Sequence, residues 1–221
     1  EPQLVPYGAI LKPVAVTPCS SDVHTVFGGG SKKQDNLVLG HECIAEVVSV
    51  GENVCDFKTG DRVAVPAITP DWREKSIQEG NDRHASAPFS GHQLGRTQPG
   101  VFSERFLIKD ADTTLAHIPQ KISEEQALMS VDVVTTGFTG AEYADIKIGD
   151  TVCVIGIGPI GLMAVAGAKL RGAARIIAVG TRPKCVQLAK YYGATDVLSY
   201  KEGDIVQQVK ELTNGIGVDA T

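Results

Sequence analysis

The stretch Thr151-Val152-Cys153-Val154-Ile155-Gly156-Ile157-Gly158-Pro159-Ile160-Gly161 decides the fold. Its first five residues form a continuous apolar run, the pattern of a central parallel strand buried on both faces. The last six fit G-x-G-x-x-G, and residues 159–171 read as a helix with Gly161, Ala164 and Ala168 at helical spacing. Glycines that follow a strand and open a helix mark a dinucleotide-binding turn rather than an incidental glycine-rich loop. The first Gly permits the tight turn, the second lets backbone approach a pyrophosphate, and the third lets the helix pack on the strand. Pro159 falls in the first helical turn, where its missing N–H costs nothing. The helix start offers amides and a partial positive charge to phosphates. Gly156, Ile157, Gly158, Pro159, Ile160 and Gly161 are therefore candidate cofactor-binding residues.

Toward the C-terminus the strand–helix alternation continues. Arg175 to Val179 reads as a strand, Pro183 to Tyr192 as a helix, Asp196-Val197-Leu198 as a strand and Asp204 to Leu212 as a helix. Val218 to Thr221 begins a fourth strand. A doubly wound dinucleotide fold uses about six strands, so the pattern predicts a fragment whose sheet is truncated at its fourth. The end of the second strand chooses the cofactor. An NAD site places Asp or Glu there to hold the ribose 2′-OH. Here stand Gly180, Thr181 and Arg182. A hydroxyl and a guanidinium suit a 2′-phosphate, so the expected cofactor is NADP. The plain alternative is a surface arginine on a loop.

Upstream of residue 130 the character changes. Short β-branched runs (Val14 to Val16, Cys43 to Val50, Arg62 to Val65) alternate with Gly and Pro, which predicts a small, mostly antiparallel β-domain. Residues 70–100 are polar, without a clear period, and read as a long loop serving as a lobe or lid. The expected division is 1–130 and 131–221. The whole chain has 221 residues, 21 Lys+Arg against 26 Asp+Glu, and a net charge of −5. That mild acidity lacks the footprint of a nucleic-acid binder, and no apolar run reaches the 18 or more residues of a membrane span. Cys19, Cys43, Cys55, Cys153 and Cys185 are odd in number and form no CxxC pair. A disulfide framework is not expected, which points to a reducing compartment, the cytoplasm.

Pro18-Cys19-Ser20-Ser21-Asp22-Val23-His24 reads as a helix start, with Ser20, Ser21 and Asp22 all suited to capping. Cys19 lies where the helix dipole favours thiolate. Ser21 and His24, three apart, share a helical face. Gly40-His41-Glu42 precedes a strand. Taken singly, Cys19 reads as a small buried hydrophobe and His41 as a turn histidine. The ligands of a catalytic zinc site come from distant segments, so local spacing does not establish one.

These segments, with Pro66 to Trp72, Asp132-Val133-Val134-Thr135-Thr136-Gly137-Phe138 and Ile155 to Lys169, together resemble the zinc-dependent medium-chain alcohol dehydrogenases, in their NADP-dependent secondary-alcohol branch of thermophilic bacteria and anaerobic protists. The resemblance implies an α/β architecture: a GroES-like, mostly-β catalytic domain and a truncated Rossmann domain. It implies one catalytic zinc on Cys19 and His41, with Asp132 as third ligand and Glu42 able to enter the shell. Thiolate and carboxylate then offset the dication. It further implies that Ser21 receives the proton of a zinc-bound alcohol and relays it through the cofactor ribose to His24. Ala67 and Trp72 would lie near the substrate pocket, and Tyr200 near the adenine or its phosphate. His92 falls about where relatives carry a Trp in the substrate pocket, which leaves the size of the substrate open, and otherwise His84, His92 and His117 are given no role. Cys43, Cys55, Cys153 and Cys185 read as buried or incidental. The implied partners are a small alcohol or ketone and three further copies in a homotetramer. A zinc-free quinone oxidoreductase of the same fold, or an inert nucleotide-binding fragment, are the alternatives.

Overall fold

A computed structural model describes residues 2–28, 36–80 and 91–221. His84 lies outside them. The chain forms two compact units, Glu1–Asp132 and Val133–Thr221.

The first unit is built on five antiparallel strands: β1 (Ala9–Val16), β2 (Cys43–Val50), β3 (Arg62–Val65), β4 (Phe106–Ile108) and β5 (Ala116–His117), in the order β4-β1-β2-β3-β5. β1 starts five residues before the Val14 expected from the sequence, because Ala9 to Leu11 pair with both β2 and β4. Pro13 lacks the N–H a ladder needs, and the β1–β2 register shifts between Pro13 and Ala15. Leu11, Val47, Val63, Val65, Phe106 and Ile108 make the core of this sheet. The segment read as a featureless loop contributes to it: Leu94 and Val101 are fully buried among those side chains. Only part of 70–100 is lobe-like, with one helical turn, α2 (Lys75–Gln78), and residues 81–90 outside the description. Two further short helices are α1 (Ser20–Val26) and α3 (Ala111–Thr114). The first three residues of β2 are buried on both faces. Cys43, Ala45 and Val47 face the main core, while Ile44 packs on Ala127 and Val131.

Ala127 belongs to α4 (Glu124–Met129), which starts in a capping box between Ser123 and Gln126. After α4 the backbone widens into a π-helical turn, Ser130–Val134, which carries Asp132. The Ala67 N–H donates to the Val131 carbonyl at 3.2 Å and fastens this turn to the segment after β3.

The second unit holds α5 (Thr135–Tyr143), β6 (Thr151–Ile155), α6 (Pro159–Leu170), β7 (Arg175–Val179), α7 (Pro183–Tyr192), β8 (Asp196–Leu198) and α8 (Ile205–Leu212). The sheet is parallel, β6-β7-β8. Both faces are buried, as the unbroken apolar runs require: Val152, Ile176 and Ala178 pack on one side, Cys153, Ile177 and Val179 on the other. Gly137 lets α5 approach α6, since a Cβ there would lie 2.5 Å from Cβ of Met163. The fourth strand is reduced to a parallel bridge between Val152 and Ala220, with the Cys153 N–H donating to the Ala220 carbonyl at 2.9 Å. Arg175 grips Asp196 side-on, with its Nε 2.8 Å from Oδ2 and its Nη2 3.1 Å from Oδ1. All five thiols are free, and Cys55 is exposed rather than buried. No helix among the described residues is long and apolar enough to cross a membrane.

Candidate metal centre and nucleotide loop

Three distant segments meet in the first unit. Cys19 caps α1, Gly40-His41-Glu42 leads into β2, and Asp132 comes from the π-helical turn. One ligand atom each of Cys19, His41, Glu42 and Asp132 lies within 4.8 Å of all the others. His41 Nε2 is 3.7 Å from Asp132 Oδ2 and 3.8 Å from Glu42 Oε1, so that nitrogen faces the centre of the group.

The opposite side of the ring is held by Asp22, a residue the sequence suggested only as a helix cap. Buried to all but 7%, its carboxylate accepts from the Cys19 N–H at 2.9 Å and the Gly40 N–H at 3.1 Å. It also lies 3.5 Å from His41 Nδ1. A carboxylate on that nitrogen favours the tautomer whose Nε2 lone pair is free to bind a cation. One side chain thus joins two candidate ligand segments. The sequence offered Ser20, Ser21 and Asp22 as caps, but the N-cap is Cys19, with Asp22 three residues on accepting from its N–H; the return of Gly40 to meet Asp22 had no sequence signal. Gly40 has a φ of +93°, and a Cβ there would fall 2.6 Å from the Phe102 ring. Only glycine fits, and this turn aims its N–H at Asp22 and His41 inward.

The electrostatics call for a cation. Burial, with the neighbouring Asp132 charge acting in the same direction, pushes the Glu42 carboxyl up to about 7. Burial holds His41 below its ordinary value, against the pull of Asp22 and Asp132. Glu42 Oε2 is buried and has no hydrogen-bond partner, an arrangement that costs on the order of 1–3 kcal/mol or more for a charged group. A thiol, an imidazole and two carboxylates packed this tightly fit a divalent metal of borderline softness, with zinc the best match.

Ser21 Oγ lies 3.4 Å from His41 Nε2, at the edge of the cluster. His24 is exposed on the next turn of α1. Ala67 is buried behind the π-helical turn, and the Trp72 indole N–H donates to Thr114 Oγ1 at 3.3 Å. His92, to which the sequence assigned no role, packs its ring edge-on against His41, centroids 4.5 Å apart.

In the second unit the glycine loop is shaped by its missing side chains. Gly156 has a φ of +90°, and its N–H donates to the Val179 carbonyl at 3.0 Å. A Cβ on Gly161 would lie 1.8 Å from the Gly156 carbonyl oxygen. This third glycine therefore closes the loop onto itself as well as seating the helix. Gly158 is open, with only Arg182 Nη2 within reach, 3.6 Å from where its Cβ would be. Gly158 caps α6, Pro159 is the first helical residue, and Ile160 is partly exposed beside it. Ile157 is buried and packs on Gly180, where a Cβ would fall 2.3 Å from its Cγ1. Thr181 donates through Oγ1 to the Tyr200 hydroxyl at 2.9 Å, and Tyr200 is exposed rather than a core residue. Arg182, Thr181, Tyr200 and the open glycine thus converge on one edge of this unit.

Residues 6–120 match the family model of the alcohol dehydrogenase GroES-like domain, and residues 159–221 match that of the zinc-binding dehydrogenases. An NADP-dependent isopropanol dehydrogenase of Thermoanaerobacter brockii is 57% identical over 220 residues, covering 100% of this chain and 62% of the relative. One from Clostridium beijerinckii is 55% identical over 213 residues, covering 96% and 61%. Among solved structures, zinc-dependent alcohol dehydrogenase 2 from Streptococcus pneumonia superposes with a TM-score of 0.88 at 29% identity, covering 99% of this chain and 61% of that one. The chain thus spans about three fifths of the length of the curated relatives it matches. A GroES-like β-domain followed by part of a Rossmann sheet is the fold these matches share with it.

Proposed function

The chain belongs to the alcohol dehydrogenase family with a GroES-like domain, and from that premise we propose that it holds one zinc ion, binds NADP and oxidises small secondary alcohols reversibly to ketones. The observation that carries this reading is the cluster of Cys19, His41, Glu42 and Asp132, in which one buried oxygen of Glu42 has no hydrogen-bond partner. When bound, zinc supplies Lewis acidity toward an alcohol oxygen and NADP supplies the hydride acceptor.

The chain's own residues do the rest. Cys19, His41 and Asp132 hold the metal, and Glu42 stands beside them as a carboxylate able to approach or withdraw. Asp22 fixes the His41 ring. Ser21 Oγ takes the proton an alcohol sheds, and His24, exposed on α1, passes it to water. Gly156 to Gly161 receive the pyrophosphate against the start of α6, while Thr181, Arg182 and Tyr200 receive the 2′-phosphate. Ala67 and Trp72 belong to the wall of the substrate site on this reading. A cytoplasmic homotetramer completes it, with sedimentation velocity as its check.

The test is metal content together with NADP reduction, measured on the whole protein. One zinc per chain, propan-2-ol preferred over ethanol and NADP over NAD are expected. A whole protein that carries no zinc supports a quinone oxidoreductase instead. NADPH binding without alcohol-dependent reduction supports an inert nucleotide-binding protein.

A further inference from the structure

We propose that the preferred substrate carries a second hydroxyl group beside the reacting carbinol, and that His92 selects it; this rests on the dehydrogenase reading above and names its substrate class. His92 occupies a particular position. Its half-buried ring packs edge-on to His41, centroids 4.5 Å apart at 69°, and the same side chain forms a wall of a cavity of about 690 Å³ within the first unit. It thus touches one residue of the metal cluster and lines that cavity.

The cavity is large for a three-carbon alcohol, falling within the roughly 300–1,000 Å³ of sites that take drug-sized ligands. Besides His92 its wall includes Thr69, Gln93 and Thr97, able to donate and accept hydrogen bonds, alongside charged side chains such as Asp71, Arg73 and Lys109. Thr69 adds an independent sign. It is 9% exposed, and among the described residues its hydroxyl oxygen and Glu42 Oε2 are buried without a hydrogen-bond partner. Buried polar groups without partners are rare and ask for an explanation. Among the described residues one such atom lies in the metal cluster and the other in the cavity wall, and His92 touches the first group and lines the second. On this proposal a substrate held by one oxygen at the metal presents its second hydroxyl to His92. An imidazole keeps an N–H in every protonation state, so a hydroxyl there is paired and a bare alkyl chain leaves the ring unsatisfied.

The test compares butane-2,3-diol with butan-2-ol, which share a carbon skeleton and differ by one hydroxyl. The whole protein is loaded with Co²⁺, and each alcohol's binding is read from the shift of the cobalt absorption bands. kcat/KM with NADP is measured on the zinc form. The diol is expected to bind about tenfold tighter and to lead by a similar factor in kcat/KM, the scale of one well-made neutral hydrogen bond. His92→Phe should erase that lead, and His92→Gln, which keeps a donor, should restore part of it. Thr69→Val should reduce the lead by about threefold. A lead for butan-2-ol, or a ratio unmoved by His92→Phe, overturns the proposal. Absence of any thiolate-to-cobalt band overturns the metal reading and this inference with it, whereas a normal band with equal titrations overturns this inference alone.

Discussion

The two candidate sites of this protein are made in opposite ways. The metal cluster is an assembly of side chains from three segments far apart in sequence, each brought to place by a different device: a helix cap, a glycine turn and a π-helical turn. The nucleotide loop is a contiguous run of backbone, defined by the side chains it lacks. The first is vulnerable to losing one ligand atom and the second to gaining one carbon. Both follow from sterics and charge, but only the second is written locally.

The largest effect should come from adding a carbon to the loop. Gly161→Ala forces a Cβ into a space 1.8 Å from the Gly156 carbonyl. The second unit should lose about 2–4 kcal/mol in urea unfolding, and NADPH binding, read by fluorescence, should vanish with it. A functional loop in this variant would mean that backbone closure is not what shapes the site. In the metal cluster, Asp132→Asn removes a charge while keeping the shape. Zinc affinity should drop by about a hundredfold, measured by competition with a chelator, with the fold intact by circular dichroism. Asp22→Asn touches no proposed ligand position, yet it should weaken zinc by about tenfold through His41. Equal losses in the two variants would erase the distinction between holding the metal and orienting a ligand.

Arg182→Ala tests the edge of the loop. It should weaken NADP by about tenfold while sparing NAD, because only the former presents a phosphate to a guanidinium. The smallest effect lies in the second unit's scaffold. The Arg175 guanidinium holds the Asp196 carboxyl below its ordinary value. A carboxyl depressed in the folded state contributes stability above its unfolded value of about 3.9. That contribution is lost as pH falls through the lower folded value. Thermal unfolding followed from pH 7 downward should show this acid loss, and Asp196→Asn should flatten it while costing about 1 kcal/mol at neutral pH.

Much of the second unit was legible because its determinants are local. Thr151–Ile155 and Arg175–Val179 are strands by their apolar runs, and both match the observed elements to the residue. Pro159 and Pro183 mark the helix starts. Asp196–Leu198 is equally clear. In the first unit the β2 strand was readable, but the start of β1 was not, since Ala9 to Leu11 are fixed by partners on both sides rather than by their own pattern. Leu94 was lost in a polar stretch because one buried side chain gives no period to detect. The metal cluster was legible only through resemblance. No spacing rule links Cys19 to Asp132, and the part of Asp22 depends on a backbone N–H from Gly40, which no side-chain pattern encodes. His92 was passed over because a lone histidine in a loop carries no signal until its neighbour is known.

The π-helical turn at Ser130–Val134 has one further consequence. Such a turn inserts one residue into an otherwise α-helical path. Deleting a single residue within it would let ordinary winding resume, and at 3.6 residues per turn the carboxylate of Asp132 would swing round the axis by about 100°. Local helix strength would improve while the cluster came apart. Natural variation in this segment should therefore tolerate swaps of side chain and reject changes of length, a signature readable by comparing indels with substitutions.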